Sequence, residues 1–329
     1  MQNNQEHGPH APQFPEPDGL QKNEVEGVGT PEIEAALPTG SLVPPASEGG
    51  CPPPLEWQEI LREFHAQADN WYLDRGDYRL AGRTMGSGPP LYLLNSFTGT
   101  HELYALLVWL LRDQYRCVMF DDCLAGARGR VTLDHLANDL LAVADTAGDR
   151  RFDVFAPSFG GLVAMTAMRS HSDRIGRALI QGGFAHRTLT RFERVLIRVC
   201  SRHPGRLRHL PLRGIIQQQN HRRWFPPFDK TRWRFLFDNT GAVPIAELAR
   251  RAAIVRDSDL RPIVQEIRQP VRLVRTEGNG SILDRCCDEL SAGLPNATEE
   301  FIDNTGQFPW LTHPHRLAKV IREFLEGGK

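Results

Sequence analysis

The chain has 329 residues and a mass of 37.1 kDa, with 40% hydrophobic and 24% charged residues. That length and composition allow a large buried core, in one α/β domain or in two smaller domains. With 39 Lys and Arg against 40 Asp and Glu, the chain is not a wholly basic nucleic-acid binder. Its longest uninterrupted apolar stretch, Leu103–Leu111, is about half the length of a bilayer span.

Residues 1–54 are expected to form a disordered acidic tail. They are rich in Pro and Gly and show neither a helical nor a strand period. The first ten residues contain no apolar stretch typical of a secretory signal, and the six cysteines show neither a CxxC pair nor zinc-site spacing. These features predict a reduced, cytoplasmic protein without a metal or cofactor.

Residues 55–329 are expected to form one α/β domain. A first helix is predicted over 55–69, and a strand-like stretch follows over 71–84. Short β-type runs then alternate with helical patterns, which favours a mostly parallel central sheet flanked by helices. The predicted strands are Leu91–Leu94, Cys117–Phe120, Phe152–Ala156, Arg177–Gln181, Val271–Thr276 and Glu299–Ile302, and the predicted helices are Leu103–Tyr115, Leu133–Thr146 and Gly160–Ser170.

A long basic segment interrupts this alternation at about residues 187–268 and predicts a helical, Arg-rich cap. Between Arg187 and Arg234 there are thirteen basic residues and only two acidic ones, Glu193 and Asp229. The arginine stems either cover apolar surface or form a surface for an anionic ligand or a partner. Nucleic acid is not expected as a ligand, because no nucleic-acid-binding motif accompanies the charge.

The segment from Phe152 to Met165 predicts a strand, a sharp turn at Ser158 and a helix. The residues two before and two after the serine, Ala156 and Gly160, are small, as a nucleophile elbow requires for close backbone contact. Gly161 permits close packing of the helix on the strand, and Pro157 biases the preceding residue toward β geometry. Placed between a β-run and an apolar helix, this pattern favours an elbow over an ordinary turn.

With this elbow, residues 70–326 resemble the α/β-hydrolase fold. The resemblance implies an oxyanion loop after the strand at 91–94, where the chain reads Asn-Ser-Phe-Thr-Gly-Thr over 95–100. By position, the backbone N–H groups of Phe97 and Phe159 would donate to an oxyanion.

The resemblance also implies an acid after the strand at 271–276 and a histidine before the last helix. At the histidine position the sequence Thr-Gly-Gln-Phe-Pro places Gln307, and at the acid position it places Asn279 or Gly280. An amide has no titratable nitrogen and cannot act as a general base. Two of the three triad positions are therefore predicted to be lost.

Other residues could substitute for the missing base and acid. His313 and His315 follow Gln307 closely. His313 precedes Pro314 and favours a solvent-facing position at the start of the last helix, while His186 favours a surface or cap role. Glu277 and Asp284 remain open as displaced acids.

Three motifs together resemble maspardin-type proteins: Ser-Phe-Thr-Gly-Thr at 96–100, the elbow with its double glycine at 158–161, and Thr-Gly-Gln-Phe-Pro-Trp-Leu at 305–311. That resemblance implies an α/β-hydrolase fold that keeps the elbow serine, carries an amide in the histidine position and acts without catalysis.

Three functions follow as hypotheses. The first is a catalytically impaired α/β-hydrolase-fold protein that binds a small molecule or a protein partner through its pocket and basic cap. The second is a serine hydrolase of a carboxylic ester or thioester that uses Ser158 with a non-standard base. The third is an anion-responsive module regulated by the acidic tail.

Overall fold

A computed structural model describes residues 56–122, 124, 129–227 and 229–327. The predicted tail at 1–54 lies outside these residues. Among the helices described, none has the length and apolar character needed to cross a membrane.

Eight strands form one sheet in the described part of the chain. They are β1 (Asp69–Asp74), β2 (Arg79–Met85), β3 (Pro90–Leu93), β4 (Arg116–Asp121), β5 (Phe152–Pro157), β6 (Ile175–Gln181), β7 (Val271–Thr276) and β8 (Ala297–Ile302). Their order is β1-β2-β4-β3-β5-β6-β7-β8. The pairings of β1 with β2 and of β2 with β4 are antiparallel, and the others are parallel. The predicted mostly parallel sheet is confirmed.

The stretch predicted as one strand over 71–84 is instead a hairpin. β1 and β2 pair with Leu73 opposite Leu80, and the chain reverses between Arg75 and Tyr78. Gly76 lies in this reversal with φ +83°, a conformation that glycine adopts at little cost. The polar run Asp-Arg-Gly-Asp at 74–77 therefore acts as a turn rather than as strand.

The helices are α1 (Trp57–Gln67), α2 (Ala105–Leu111), α3 (Leu133–Thr146), α4 (Phe159–Ser170), α5 (Arg191–Cys200), α6 (Arg213–His221), α7 (Lys230–Ala242), α8 (Ile245–Asp257), α9 (Gly280–Gly293), α10 (Pro309–Thr312) and α11 (Pro314–Glu326). The predicted helices at 133–146 and 160–170 coincide with α3 and α4. The one predicted over 103–115 is divided into a 3-10 turn, His101–Tyr104, and the shorter α2.

Alternation along the strands directs side chains into two cores, one on each face of the sheet. Tyr92 packs in the core that includes α3 and α4, and its neighbours Leu91 and Leu93 pack in the core that includes α1, α2 and α11. All three side chains are fully buried. Helices on both faces are what a parallel sheet requires, since neither of its faces is polar.

Helices α5 to α8 lie between β6 and β7, in the segment predicted as the Arg-rich cap. Several of its arginines hold the cap together. Arg213 is buried and donates to Phe237 O and Thr240 Oγ1, while Arg206 donates to Ala242 O. Part of the basic charge is therefore committed to internal structure, and the rest is exposed.

Candidate functional site

Ser158 occupies the sharp turn between β5 and α4. Its backbone has φ +50° and ψ −109°, a region that residues other than glycine rarely adopt. The Ser158 N–H donates to Gln181 O over 2.8 Å, and Gly161 N–H donates to Ser158 O over 2.9 Å. A strained residue of this kind persists only where the surrounding structure holds it, and such residues cluster at functional sites.

The glycines after the serine lie where no side chain fits. A Cβ at Gly160 would lie 2.9 Å from Asn95 O and 3.0 Å from Leu94 Cβ, and one at Gly161 would lie 2.8 Å from Ile180 Cγ2. Backbone oxygen cannot move aside as a side chain can. The small residues that the sequence places around Ser158 thus match the space available.

The two predicted oxyanion donors lie on adjacent segments. Phe159 is the first residue of α4, and Phe97 lies in the loop after β3, with the two rings edge-on at 6.5 Å. The first N–H groups of a helix have no acceptor within the helix. No backbone carbonyl of the described residues accepts a hydrogen bond from either N–H.

A buried arginine from the cap fixes the loop that carries Phe97. Arg251 of α8 is 2% exposed and donates to the carbonyl oxygens of Ser96, Phe97 and Gly99 over 3.2, 2.9 and 3.4 Å. It also lies 3.1 Å from Glu247 Oε1 and 3.6 Å from Asp122 Oδ2. Because these carbonyls face the guanidinium, the loop is held at three points. No sequence pattern predicts this contact between residues so far apart in the chain.

The pKa values of the neighbouring residues Asp122 and Asp121 are shifted in opposite directions. Burial raises the pKa of Asp122 to about 7, although Arg251 opposes the shift. Burial also acts on Asp121, but hydrogen bonds from His101 and Asn95 lower its pKa. Burial opposes protonation of His101, and its hydrogen bonds to Asp121 and Glu102 raise its pKa to about 9. His101 is therefore cationic at neutral pH. Its ion pairs with Asp121 and Glu102 hold the end of the loop that follows Phe97.

Ser158 lines two cavities. The smaller, about 150 Å³, has a mixed polar and apolar wall, with Ser96, Gln217 and Trp310 among the lining residues. The Ser96 hydroxyl and the Trp310 indole N–H are buried without a partner among the described residues. Buried polar groups are normally paired, so this chamber has unused capacity to bind a polar group or water.

The larger cavity, about 550 Å³, lies between the sheet edge and the cap. Its wall is mostly apolar, with Leu189, Ile197, Leu248 and Val255 among the lining residues. The Arg187–Glu193 ion pair contributes the charged part of the wall. A cavity of this size and character can bury an apolar group beside Ser158.

Gln307 lines both cavities together with Ser158. It follows β8 in the loop where the resemblance implies a catalytic histidine. Its amide carries no basic nitrogen, so it can orient a ligand by hydrogen bonds but cannot accept the serine proton.

The three histidines considered as substitutes lie elsewhere. His313 and His315 line a separate cavity with Trp57 and Thr231. The ring of His186 lies 3.2 Å from Ser258 O and 3.3 Å from Thr188 Oγ1, and His186 is not among the described residues that line either cavity at Ser158.

The loop after β7, where the catalytic acid is expected, has a structural role. Glu277 directly follows β7, is exposed, and accepts a hydrogen bond from Asn304 N–H over 3.0 Å, so it joins this loop to the loop of Gln307. Asp284 is exposed on α9. Gly280 has φ +76°, which an aspartate adopts only with strain. The side chain of Asn279 lies outside the described part of the chain.

The two loops meet beneath a cap tryptophan. A Cβ at Gly278 would lie 2.6 Å from Gly306 Cα and 2.9 Å from Trp224 Nε1, and a Cβ at Gly306 would lie 2.4 Å from Trp224 Cδ1. The close approach of these two glycines leaves no space for a side chain between the loops.

Sequence reasoning missed one histidine at the site. His221, the last residue of α6, lines the 150 Å³ chamber together with Ser158, and its ring lies edge-on to Phe308 with 5.1 Å between centroids. Burial lowers its pKa below the ordinary value, so the ring is neutral at pH 7 and can accept a proton. Its place in the cap, far from the elbow in sequence, carries no pattern that would have identified it.

Comparisons with known proteins agree with this architecture. No protein-family model matches the chain. A pimeloyl-[acyl-carrier protein] methyl ester esterase from Nitrosomonas europaea is 23% identical over 251 residues, which cover 72% of this chain and 96% of that protein. The protein of that name from Aromatoleum aromaticum is 29% identical over 82 residues, which are 25% of this chain and a third of that relative.

Solved structures are similar over most of the described domain. A hydrolase from Pseudomonas aeruginosa superposes with a TM-score of 0.67 at 20% identity, covering 78% of this chain and 98% of that chain. An enol-lactonase from Burkholderia xenovorans superposes with a TM-score of 0.66 at 20% identity, covering 78% of this chain and all of that chain. At such identities the likeness shows the fold alone. The strand order, the strained turn at Ser158 and these likenesses show that the chain has the α/β-hydrolase fold.

Proposed function

We propose that the protein binds a carboxylic ester or thioester at Ser158 and hydrolyses it poorly or not at all. The carbonyl would lie between the N–H groups of Phe97 and Phe159, and the acyl chain would fill the apolar 550 Å³ cavity. The names of the two relatives, which describe an ester of an acyl chain on a carrier protein, support this ligand class.

The presence of Gln307 beside Ser158 carries the proposal of impaired catalysis. A serine hydroxyl needs a base, and loss of a triad member typically costs about 10⁴- to 10⁶-fold in turnover. The same amide supports the finer proposal that the chain is a maspardin-type protein acting through a ligand or protein partner.

A second candidate function is a working serine ester hydrolase. The observation that favours it is His221, a neutral imidazole lining the same chamber as Ser158. In this mechanism Ser158 attacks the acyl carbonyl while His221 takes its proton, the backbone N–H groups hold the oxyanion, and the imidazolium then protonates the leaving alcohol or thiol. A water molecule then gives a proton to His221 and attacks the acyl carbonyl, and the imidazolium returns the proton to Ser158 as the acid leaves.

Labelling with a fluorophosphonate separates the two functions, because the probe reacts only with an activated serine. We expect no labelling of the full chain within an hour and hydrolysis of p-nitrophenyl acetate close to that of Ser158→Ala. Stoichiometric labelling within minutes, absent in Ser158→Ala, would show that the protein is an active hydrolase.

Binding is tested without turnover. A non-hydrolysable acyl thioether of medium chain length should raise the melting temperature of the full chain, since a ligand that binds only the folded state stabilises it. Ala252→Trp fills the apolar cavity from α8 and should abolish the shift, whereas Ala253→Trp, one residue further on the same helix and outside that cavity wall, should leave it. An equal shift in both variants would contradict the assigned acyl site.

If the serine is active, His221 is tested by its pH dependence. The pKa of His221 lies below 6.5, so hydrolysis should not change with pH down to that value. At lower pH the rate should fall as the imidazole protonates. His221→Gln should lose both labelling and the acidic inflection. His203→Gln, which replaces an exposed cap histidine, should retain both.

A further inference from the structure

Exposed apolar side chains are concentrated in one part of the cap. Of the eleven large apolar residues exposed in the described part of the chain, eight lie between residues 192 and 216. Phe192 is 70% exposed and Val199 is 65% exposed. Scattered single residues of this kind need no explanation, but a continuous patch marks a contact surface.

Helix α5 presents three faces. Ile197 points inward and is buried, and Glu193 pairs with Arg187. An outward stripe at spacings of three and four residues is apolar and exposed, and it comprises Phe192, Val195, Leu196 and Val199. Beside it runs a basic stripe of exposed side chains without an ion pair in the described residues, which comprises Arg191, Arg194 and Arg198. A helix with adjacent apolar and basic outer stripes matches one that lies in a membrane interface.

The apolar stripe continues into the cavity at Ser158. Leu196 of α5, Leu210 of the following loop and Ile282 of α9 are all exposed, and all three line the 550 Å³ cavity. They therefore form its mouth. We call the α5 apolar stripe together with Leu210 and Ile282 the cap patch. An amphiphile held on this patch would lie at the mouth of the cavity that Ser158 lines.

We propose that the cap patch docks the protein on a bilayer that contains anionic phospholipid. The apolar stripe enters the boundary between headgroups and acyl chains, and the three arginines extend beside it to the phosphates. An acidic protein would be attracted to the arginines, but that attraction would leave the apolar stripe in water. A lipid surface satisfies both stripes at once, and the mouth of an acyl-sized cavity lies within the same patch. The proposal does not depend on whether Ser158 is active.

The test is co-sedimentation of the full chain with vesicles at about 0.1 M salt, where surface charges still act over about 10 Å. We expect binding to phosphatidylcholine vesicles containing phosphatidylglycerol, with much weaker binding to phosphatidylcholine alone. Arg194→Gln with Arg198→Gln should reduce the partition coefficient on anionic vesicles by about fivefold for each arginine. Phe192→Ser with Val199→Ser should reduce it by about tenfold or more.

Matched controls separate docking from general surface effects. Phe301→Ser removes a side chain that is 58% exposed on β8, and Arg150→Gln removes an exposed arginine away from the cap. Both should bind vesicles as the parent does, and so should Ser158→Ala, whose behaviour would separate docking from the proposed ester site. All substituted cap residues are exposed, so circular dichroism should show unchanged folding.

Three results would overturn the proposal. The first is absence of vesicle binding by the parent chain. The second is loss of binding in the arginine variant but not in the apolar variant, which would show electrostatic adsorption without insertion of the apolar stripe. The third is a stable dimer in light scattering that the Phe192 and Val199 substitutions dissociate, which would show that a second copy covers the patch.

Discussion

Arg251→Met is predicted to destabilise the protein strongly, because this side chain joins the cap to the oxyanion loop. The change removes a buried guanidinium from two carboxylates and three carbonyl oxygens. Loss of one partner from a buried ion pair costs about 3–5 kcal/mol. For a domain of this size, each kcal/mol corresponds to about 2–4 °C in melting temperature, so we expect a fall of about 10 °C.

The loss of unfolding free energy should also depend on pH. The ionisation of Asp122 decides whether the loss grows or shrinks as pH rises. Its pKa is about 7 with Arg251 present, and Arg251 is a cause that lowers it. At pH 6 the carboxyl is largely protonated in the parent, so little attraction is lost. At pH 8 Asp122 is ionised in the parent and is stabilised by the nearby guanidinium. The variant lacks that guanidinium. The difference in unfolding free energy between parent and variant should therefore be larger at pH 8.

Urea unfolding followed by circular dichroism at both pH values measures these quantities. Arg256→Met is the matched control, since Arg256 lies on the same helix but pairs with Asp257 near the surface. Exposed pairs contribute about 0–1 kcal/mol. Arg251→Met combined with Glu247→Gln should recover part of the loss, because one uncompensated carboxylate is removed. A loss below about 1 kcal/mol for Arg251→Met would refute the assignment of Arg251 as a buried clamp.

Three further outcomes are expected. Gly160→Val should lower the unfolding free energy by about 2 kcal/mol or more because its Cβ meets a backbone oxygen, while Gly214→Ala, at an open helical position, should be neutral or stabilising in the same urea assay. His101 holds its proton more tightly when folded, so its contribution to stability is complete below pH 6.5 and is lost as pH rises through about 9; a His101→Gln protein should show a flatter stability profile between pH 7 and 9, and an equally steep one would contradict the ion network. Gln307→His combined with Asn279→Asp should raise p-nitrophenyl acetate hydrolysis by about tenfold, and no gain would mean that the loops do not present these positions to Ser158.

The sequence was informative wherever local sterics determine the structure. The strand before Ser158, the helix after it and the small residues between them are dictated by contacts within one short segment. The split of 71–84 into a hairpin was missed, although Gly76 within a polar run was a visible signal. A run of β-favouring residues on both sides outweighed it.

Contacts between distant parts of the chain could not be predicted in the same way. Gln307 could be proposed for the site because the loop after the last strand resembles a known motif, and it lines the same cavities as Ser158. Arg251 and His221 come from the cap, where arginines and histidines are numerous and none is distinguished by spacing. Whether such a residue faces a loop, a cavity or solvent is decided by how the cap helices pack, and one sequence does not carry that information.

The glycine contact beneath Trp224 limits where the loop after β7 could carry an acid. Codons for glutamine and histidine differ only in their third base, so a single point mutation places an imidazole at position 307. On the neighbouring loop, Gly278 has no room for a Cβ against Gly306, and Gly280 has a backbone conformation that disfavours aspartate. Regaining an acid there requires the loop to be rebuilt or residue 279 to serve. A single change in the first base turns an asparagine codon into an aspartate codon, so one point mutation in each loop would supply a base and an acid.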